Sequence, residues 1–161
     1  MDKSQFGVLD ILVGLPGSGK STWAEDFAGY AVIISTDQIR EEINGNAADQ
    51  SNGDKVWATA YNRARYWLHL GYNVIFDATN CGRANRRAVL QELKDHACKV
   101  NAFYFNTSIE ECKRRNAARA RVVPEKVIDR MAARLTVPTR DEGFDRVWIM
   151  YKKIKNLSQR G

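Results

Sequence analysis

Residues 14–21, Gly14-Leu15-Pro16-Gly17-Ser18-Gly19-Lys20-Ser21, fit the pattern G-x-x-x-x-G-K-[ST] at every position. The chemistry served by this pattern is the holding of phosphate. Its glycines let the backbone turn successive N–H groups inward around anionic oxygens, and a helix opening at the end of the loop adds unpaired N–H groups of its own. Lys20 is spaced to reach the outer phosphates of a nucleotide, and the Ser21 hydroxyl to ligate Mg²⁺. Gly14, Pro16, Gly17, Ser18, Gly19, Lys20, Ser21 and Thr22 are the expected nucleotide-binding residues. No N-K-x-D run for guanine selectivity occurs, so ATP is the expected donor. A phosphate cradle alone does not separate a kinase from a hydrolase or a mechanical NTPase.

Three further groups could act on what the cradle holds. Asp37 and Arg40 stand three apart at the start of an expected helix and share a face. A carboxylate there can orient and deprotonate an acceptor hydroxyl, and the arginine can grip an anionic group on the acceptor. The same spacing suits Asp37 as a helix cap with a surface neighbour, and both readings stay open. Asp77 closes the apolar run Val74-Ile75-Phe76, a setting that fits a Mg²⁺-linked carboxylate better than a turn-forming Asp. Ser21 and Asp77 are thus the expected metal positions. The run Arg114-Arg115-Asn116-Ala117-Ala118-Arg119-Ala120-Arg121 is placed to form a basic lid, over about residues 114–124, that stabilises phosphoryl charge and excludes water. An exposed basic helix face is the plainer reading, and it is expected to cover at least Arg114.

The elements that must position these groups alternate in type. Short apolar runs at Val8–Val13, Ala31–Ile34, Asn73–Phe76, Val100–Phe105 and Arg146–Met150 read as buried strands. Helices are expected over 18–27, 36–43, 54–70 (with Asp54 as cap and Gly71 just past the end), 84–96, from a Ser108–Glu111 capping box onward, and from a first turn holding Pro124 to about Leu135. Trp57, Tyr61 and Trp67 are expected in the core. The alternation predicts an α/β fold of three layers: a parallel five-stranded sheet with helices on both faces. No linker divides the chain, so residues 1–161 are expected to form a single domain.

Composition sets outer bounds. The 161 residues are 44% hydrophobic and 27% charged, the balance of a soluble globular chain, and the first residues lack the apolar core of a signal peptide. A cytoplasmic protein is expected. Cys81, Cys98 and Cys112 are odd in number and widely spaced, which argues against a disulfide framework or zinc site; Cys98 is expected near the core. His69 and His96 lie far apart in the sequence and are expected at the surface. A net charge of +6 suits a polyanionic partner. Arg83, Arg86, Arg87, Lys113 and Arg114 are candidates for strand binding by charge, whereas Lys152, Lys153 and Lys155 read as a solvated helix face.

Together these motifs resemble the kinase domain of phage-type and bacterial polynucleotide 5′-kinases, within a wider group of small P-loop kinases. The resemblance rests on the cradle with Pro16 and its Ser-Thr-Trp continuation, Asp37-x-x-Arg40, Asp77-Ala-Thr-Asn80, Arg115-Asn116-x-x-Arg119 and Val123-Pro124. Pro138 and Glu142-Gly143-Phe144-Asp145 extend it, so it spans about Val8 to Met150. It implies transfer of the γ-phosphate of ATP, with Mg²⁺, to a nucleic acid 5′-hydroxyl end. Lys20, Asp37, Arg40 and Arg119 would be catalytic: Asp37 as general base, Arg40 on the acceptor's first phosphodiester, Arg119 as lid arginine. Arg115 and Arg119 would touch the donor phosphates. The wider group also contains kinases of small molecules, which leaves a small-molecule acceptor as the alternative; a non-enzymatic ATP switch would not need Lys20, Asp37, Asp77 and Arg119 together.

Overall fold

The run Val8–Val13, apolar except at Asp10, forms β1 at the centre of a sheet and is buried along most of its length. The structure is a computed structural model that describes residues 2–151. Its other strands are β2 (Val32–Ser35), β3 (Val74–Asp77), β4 (Lys99–Phe105) and β5 (Arg146–Met150). All pairings are parallel, in the order β2-β3-β1-β4-β5. The connecting helices are α1 (Lys20–Asp26), α2 (Thr36–Asn44), α3 (Gly53–His69), α4 (Arg83–Leu93), α5 (Ile109–Ala117) and α6 (Glu125–Arg134).

Because side chains alternate along a strand, β1 feeds two cores. Leu9, Ile11 and Val13 pack with Val56, Ala60, Ala64 and Leu68 of α3 and with Val89, Leu90 and Leu93 of α4. Leu12 joins Ala24 of α1, Ile75 and Phe105 in a second cluster. The sheet is therefore covered on both faces, as the alternation of strands and helices predicts. Trp57 and Tyr61 stack on Phe76 with ring centroids 6.0 and 5.9 Å apart, and Trp67 packs against the same core. No helix among the described residues is long and apolar enough to cross a membrane.

Several local expectations change. Asp54 does not cap α3; the cap is Asn52, in left-handed backbone at φ 56, and its amide donates to Asn44 Oδ1. Pro124 is the cap of α6 rather than part of its first turn. The helix expected through His96 ends at Leu93 and continues as a single 3-10 turn. Cys98 is only partly buried, whereas Cys81 and Cys112 are buried. Lys152, Lys153 and Lys155 lie outside the described residues.

The largest change concerns Arg86, a candidate for strand binding by charge. Its side chain is 0% exposed. It pairs with Glu142 through Nε and Nη2, both at 2.8 Å, and donates to the carbonyls of Asn80, Cys81 and Thr136 and to Thr136 Oγ1. One guanidinium thus ties the loop after β3 to the segment that leads into β5. Of the other candidates, Arg83 pairs with Asp141, Lys113 with Asp129 and Arg114 with Glu111. A guanidinium with all its donors satisfied is stable only while its partners remain, and breaking a buried pair costs about 3–5 kcal/mol. Arg86→Ala should lower Tm by about 10 °C, whereas Arg83→Ala, at an exposed pair, should move it by no more than about 2 °C; thermal unfolding followed by circular dichroism measures both.

The two histidines, distant in sequence, meet at the amino ends of the strands: His69 Nε2 and His96 Nδ1 are 2.8 Å apart, and His69 stacks on Phe6. Partial burial, then His69 and Arg65, push the His96 pKa below its ordinary value of 6.5. A depressed value means that protonation opposes folding. Stability from this pair is therefore present above about pH 6.5 and is lost as the pH falls through the lower folded value. Chemical denaturation at stepped pH between about 7 and 5.5 should show this loss in the native chain, and His96→Gln should flatten it.

Candidate active site

The parallel sheet brings the carboxyl ends of β1, β2 and β3 to one edge, where Ser35 is in register with Asp77. A cleft of about 860 Å³ opens there. Its floor is the loop from Gly14 to Gly19. Gly17 and Gly19 sit at φ 80 and 102, backbone that side chains oppose. A Cβ on Gly17 would lie 2.4 Å from the Cys112 carbonyl oxygen, so the loop also needs glycine there for close approach to α5. Thr107 Oγ1 donates to Ser18 O and Gly14 N–H donates to Thr79 O, which fix the loop to its neighbours.

Lys20 points back over this loop and is 7% exposed. Its ammonium donates to Gly14 O at 2.8 Å, Leu15 O at 2.9 Å and Ser18 Oγ at 3.4 Å. Burial pushes its pKa down, and the nearby Asp77 charge is the main counterweight. Ser21 Oγ donates to Asp77 Oδ2 at 2.8 Å. Burial raises the Asp77 pKa against the opposing pull of Lys20 and the Ser21 bond. A hydroxyl and a carboxylate at this separation are hard oxygen donors of the kind Mg²⁺ takes, with water and phosphate supplying the rest of an octahedron. The residues present therefore fit the ion. Among the described residues no group of three or more His, Cys, Asp or Glu side chains forms a metal site by itself.

On the α2 side of the cleft, Ser35 caps the helix: its hydroxyl accepts from Gln38 N–H at 3.3 Å. The cap position is thus taken, and Asp37 stands in the first turn with its carboxylate free to face the cleft. Arg40 Nη1 donates to Asp37 Oδ1 at 2.8 Å, and Arg121 Nη1 to Asp37 Oδ2 at 2.9 Å. The Arg40 side chain is 10% exposed and its Nε has no partner.

The basic run divides by role. Arg114 forms an exposed forked pair with Glu111, the plain helix-face reading. Arg115 is held by Glu111 through Nε and reaches the loop, Nη1 to Gly17 O at 3.5 Å. Arg119 lines the cleft, and its charge acts on Asp77. The segment between α5 and α6 is pinned by Asn116, 1% exposed, whose amide both donates to Val123 O at 2.7 Å and accepts from Val123 N–H at 3.0 Å. That staple, the Thr107 bond and the bond of Arg121, a residue of the expected lid run, to Asp37 escape sequence reasoning. Only an Asn at the end of a helix, facing a turn, signals the first.

Sheet order and cradle together make a P-loop kinase fold. The chain matches the AAA domain family over residues 9–138 and belongs to that family. It is 25% identical over 154 residues to the L-seryl-tRNA(Sec) kinase of Methanococcus maripaludis, with 86% of this chain and 56% of that one covered. A chain of the Pnkp1/Rnl/Hen1 RNA repair complex superposes with a TM-score of 0.74 at 25% identity, covering 81% of this chain and 44% of that one. A gluconokinase from Sinorhizobium meliloti 1021 shares the fold at 19% identity and a TM-score of 0.60, covering 90% and 82%. The chain thus spans about half the length of the first two.

The glycine requirement is testable apart from any acceptor. Gly17→Ala should weaken ATP binding at least about tenfold by calorimetry, since it combines a positive φ with a backbone clash. Gly29→Ala, whose added Cβ meets nothing within 4 Å, should leave binding unchanged.

Proposed function

We propose that the chain transfers the γ-phosphate of ATP to the 5′-hydroxyl end of a polynucleotide. The observation that carries this reading is the Asp37 carboxylate, flanked by Arg40 and Arg121, in the same cleft as Lys20, Ser21 and Asp77. The RNA-linked names of the two relatives at 25% identity favour an acceptor carried on nucleic acid. Asp37 takes the proton of the acceptor hydroxyl as its oxygen bonds to the γ-phosphorus, and the bond from that phosphorus to the β-phosphate oxygen breaks, releasing ADP. Lys20, Arg115 and Arg119 hold the charge on the transferring group. Arg40 orients the acceptor. Ser21 and Asp77 would hold Mg²⁺, which neutralises phosphate charge when bound. Residues 1–161 act as one catalytic domain, with residues 114–124 as lid.

A second reading, a small-molecule kinase on the same core, is favoured by the shared fold with the gluconokinase, of which this chain covers 82%. Incubation with γ-labelled ATP, Mg²⁺ and 5′-hydroxyl DNA and RNA oligonucleotides separates the two. Label is expected at the 5′ end, with kcat reduced about 10²- to 10⁴-fold in Asp37→Asn and ATP affinity retained. ATP binding without label on any oligonucleotide, and with label on a sugar or other metabolite, would move the assignment to the second reading.

A further inference from the structure

Both oxygens of the Asp37 carboxylate are taken by guanidinium groups, and the two come from different parts of the fold. Arg40 is on the same helix and 10% exposed, so its bond is sheltered. Arg121 comes from the segment between α5 and α6 and is 33% exposed, against 52% for Asp37. Among the described residues, the Arg121 bond is the hydrogen bond by which residues 118–122 cross the cleft. An exposed pair of this kind is weak and easily exchanged. Arg40 makes one hydrogen bond with its guanidinium and leaves a buried Nε unpartnered, a deficit that an incoming anion near it can relieve.

We infer that Arg121 is a second acceptor-recognising arginine: it latches the lid onto Asp37 while no acceptor is present, and moves to a phosphate beside the acceptor hydroxyl when one enters. The inference rests on the kinase reading above and names the acceptor class as one bearing a phosphate next to its hydroxyl. Two guanidiniums that converge on one carboxylate from either side are spaced to share a small anion. A phosphate offers Arg121 more oxygens and more charge than half of a carboxylate does, so the exchange runs toward the acceptor. Departure of Arg121 frees Asp37 Oδ2 for the hydroxyl proton. Without an acceptor that oxygen stays engaged, and water in the cleft finds no free base.

Two measurements test the inference. The first needs no acceptor: hydrogen exchange at the amides of residues 118–122 should quicken about 2- to 5-fold in Asp37→Asn and in Arg121→Gln alike, with no further gain in the double variant. Equal exchange in the native and variant chains, or full additivity, overturns the latch. The second compares a nucleoside 3′-phosphate with the bare nucleoside as 5′-hydroxyl acceptors. The native chain should favour the phosphorylated one, and Arg121→Gln should raise its KM about 10- to 100-fold. The preference of the native chain for the phosphorylated compound should shrink by a like factor, and ATP hydrolysis without acceptor should rise. A KM ratio unchanged in Arg121→Gln overturns the acceptor role while the kinase reading stands. Label on neither compound removes the polynucleotide reading and with it the phosphate, and the exchange result alone then decides the latch.

Discussion

An ammonium ion held out of water sets the terms for the whole carboxyl edge of the sheet. Lys20 is buried, and an unpaired buried charge is too costly for a fold to keep. The loop therefore has to turn the carbonyls of Gly14 and Leu15 toward it, and the chain can do so only because Gly17 and Gly19 accept positive φ. Asp77 must lie close enough to balance the charge, which fixes where β3 ends relative to β1. The coupling works in both directions: burial alone would push the Asp77 pKa further up, and Lys20 pulls it back. Neutral carbonyls are modest partners for an ammonium. Phosphate oxygens are better ones, so the cost of burying Lys20 is recovered when a nucleotide arrives.

What surrounds this group differs in firmness. Arg86, with its buried forked pair to Glu142 and three carbonyl bonds, fixes the loop after β3 from below. Asn116 fixes the start and end of the segment above the cleft but leaves its middle with few contacts. Local stability follows buried contacts, so the floor has the firmer hold and the segment above it the weaker. The proposed transfer would use that division, with the upper segment admitting the acceptor and then excluding water.

The floor was legible in the sequence and the roof only in part. The cradle, β1 and the other strands announce themselves by contiguous residues whose pattern has one physical solution. Asp77 was legible because it ends such a run. Arg86 was not: its partner Glu142 is 56 positions away, and nothing local distinguishes a buried arginine from a solvated one. The same holds for His69 with His96, 27 apart, and for Asp37 with Arg121, 84 apart. Helix starts failed for a different reason. Asp54 has the side chain of a good cap, but the turn before it closes on Asn52, whose amide is engaged by Asn44. Tertiary bonds chose between two adequate local candidates.

The Lys20 and Asp37 halves of the cleft also differ in wetness, and that difference constrains how the proposed transfer would refuse water. Lys20 and Asp77 are buried, whereas the Asp37 side chain is 52% exposed. A base in contact with solvent cannot discriminate against water by being dry. In the proposed mechanism it discriminates by having its oxygens occupied by Arg40 and Arg121, of which Arg121 gives way only to another anion. On that reading an acceptor hydroxyl must come with an anionic group that draws Arg121 away, a condition water does not meet. Selection by occupancy rather than by burial would also account for Asp37 lying on an exposed first turn beside a single buried arginine instead of deep in the sheet.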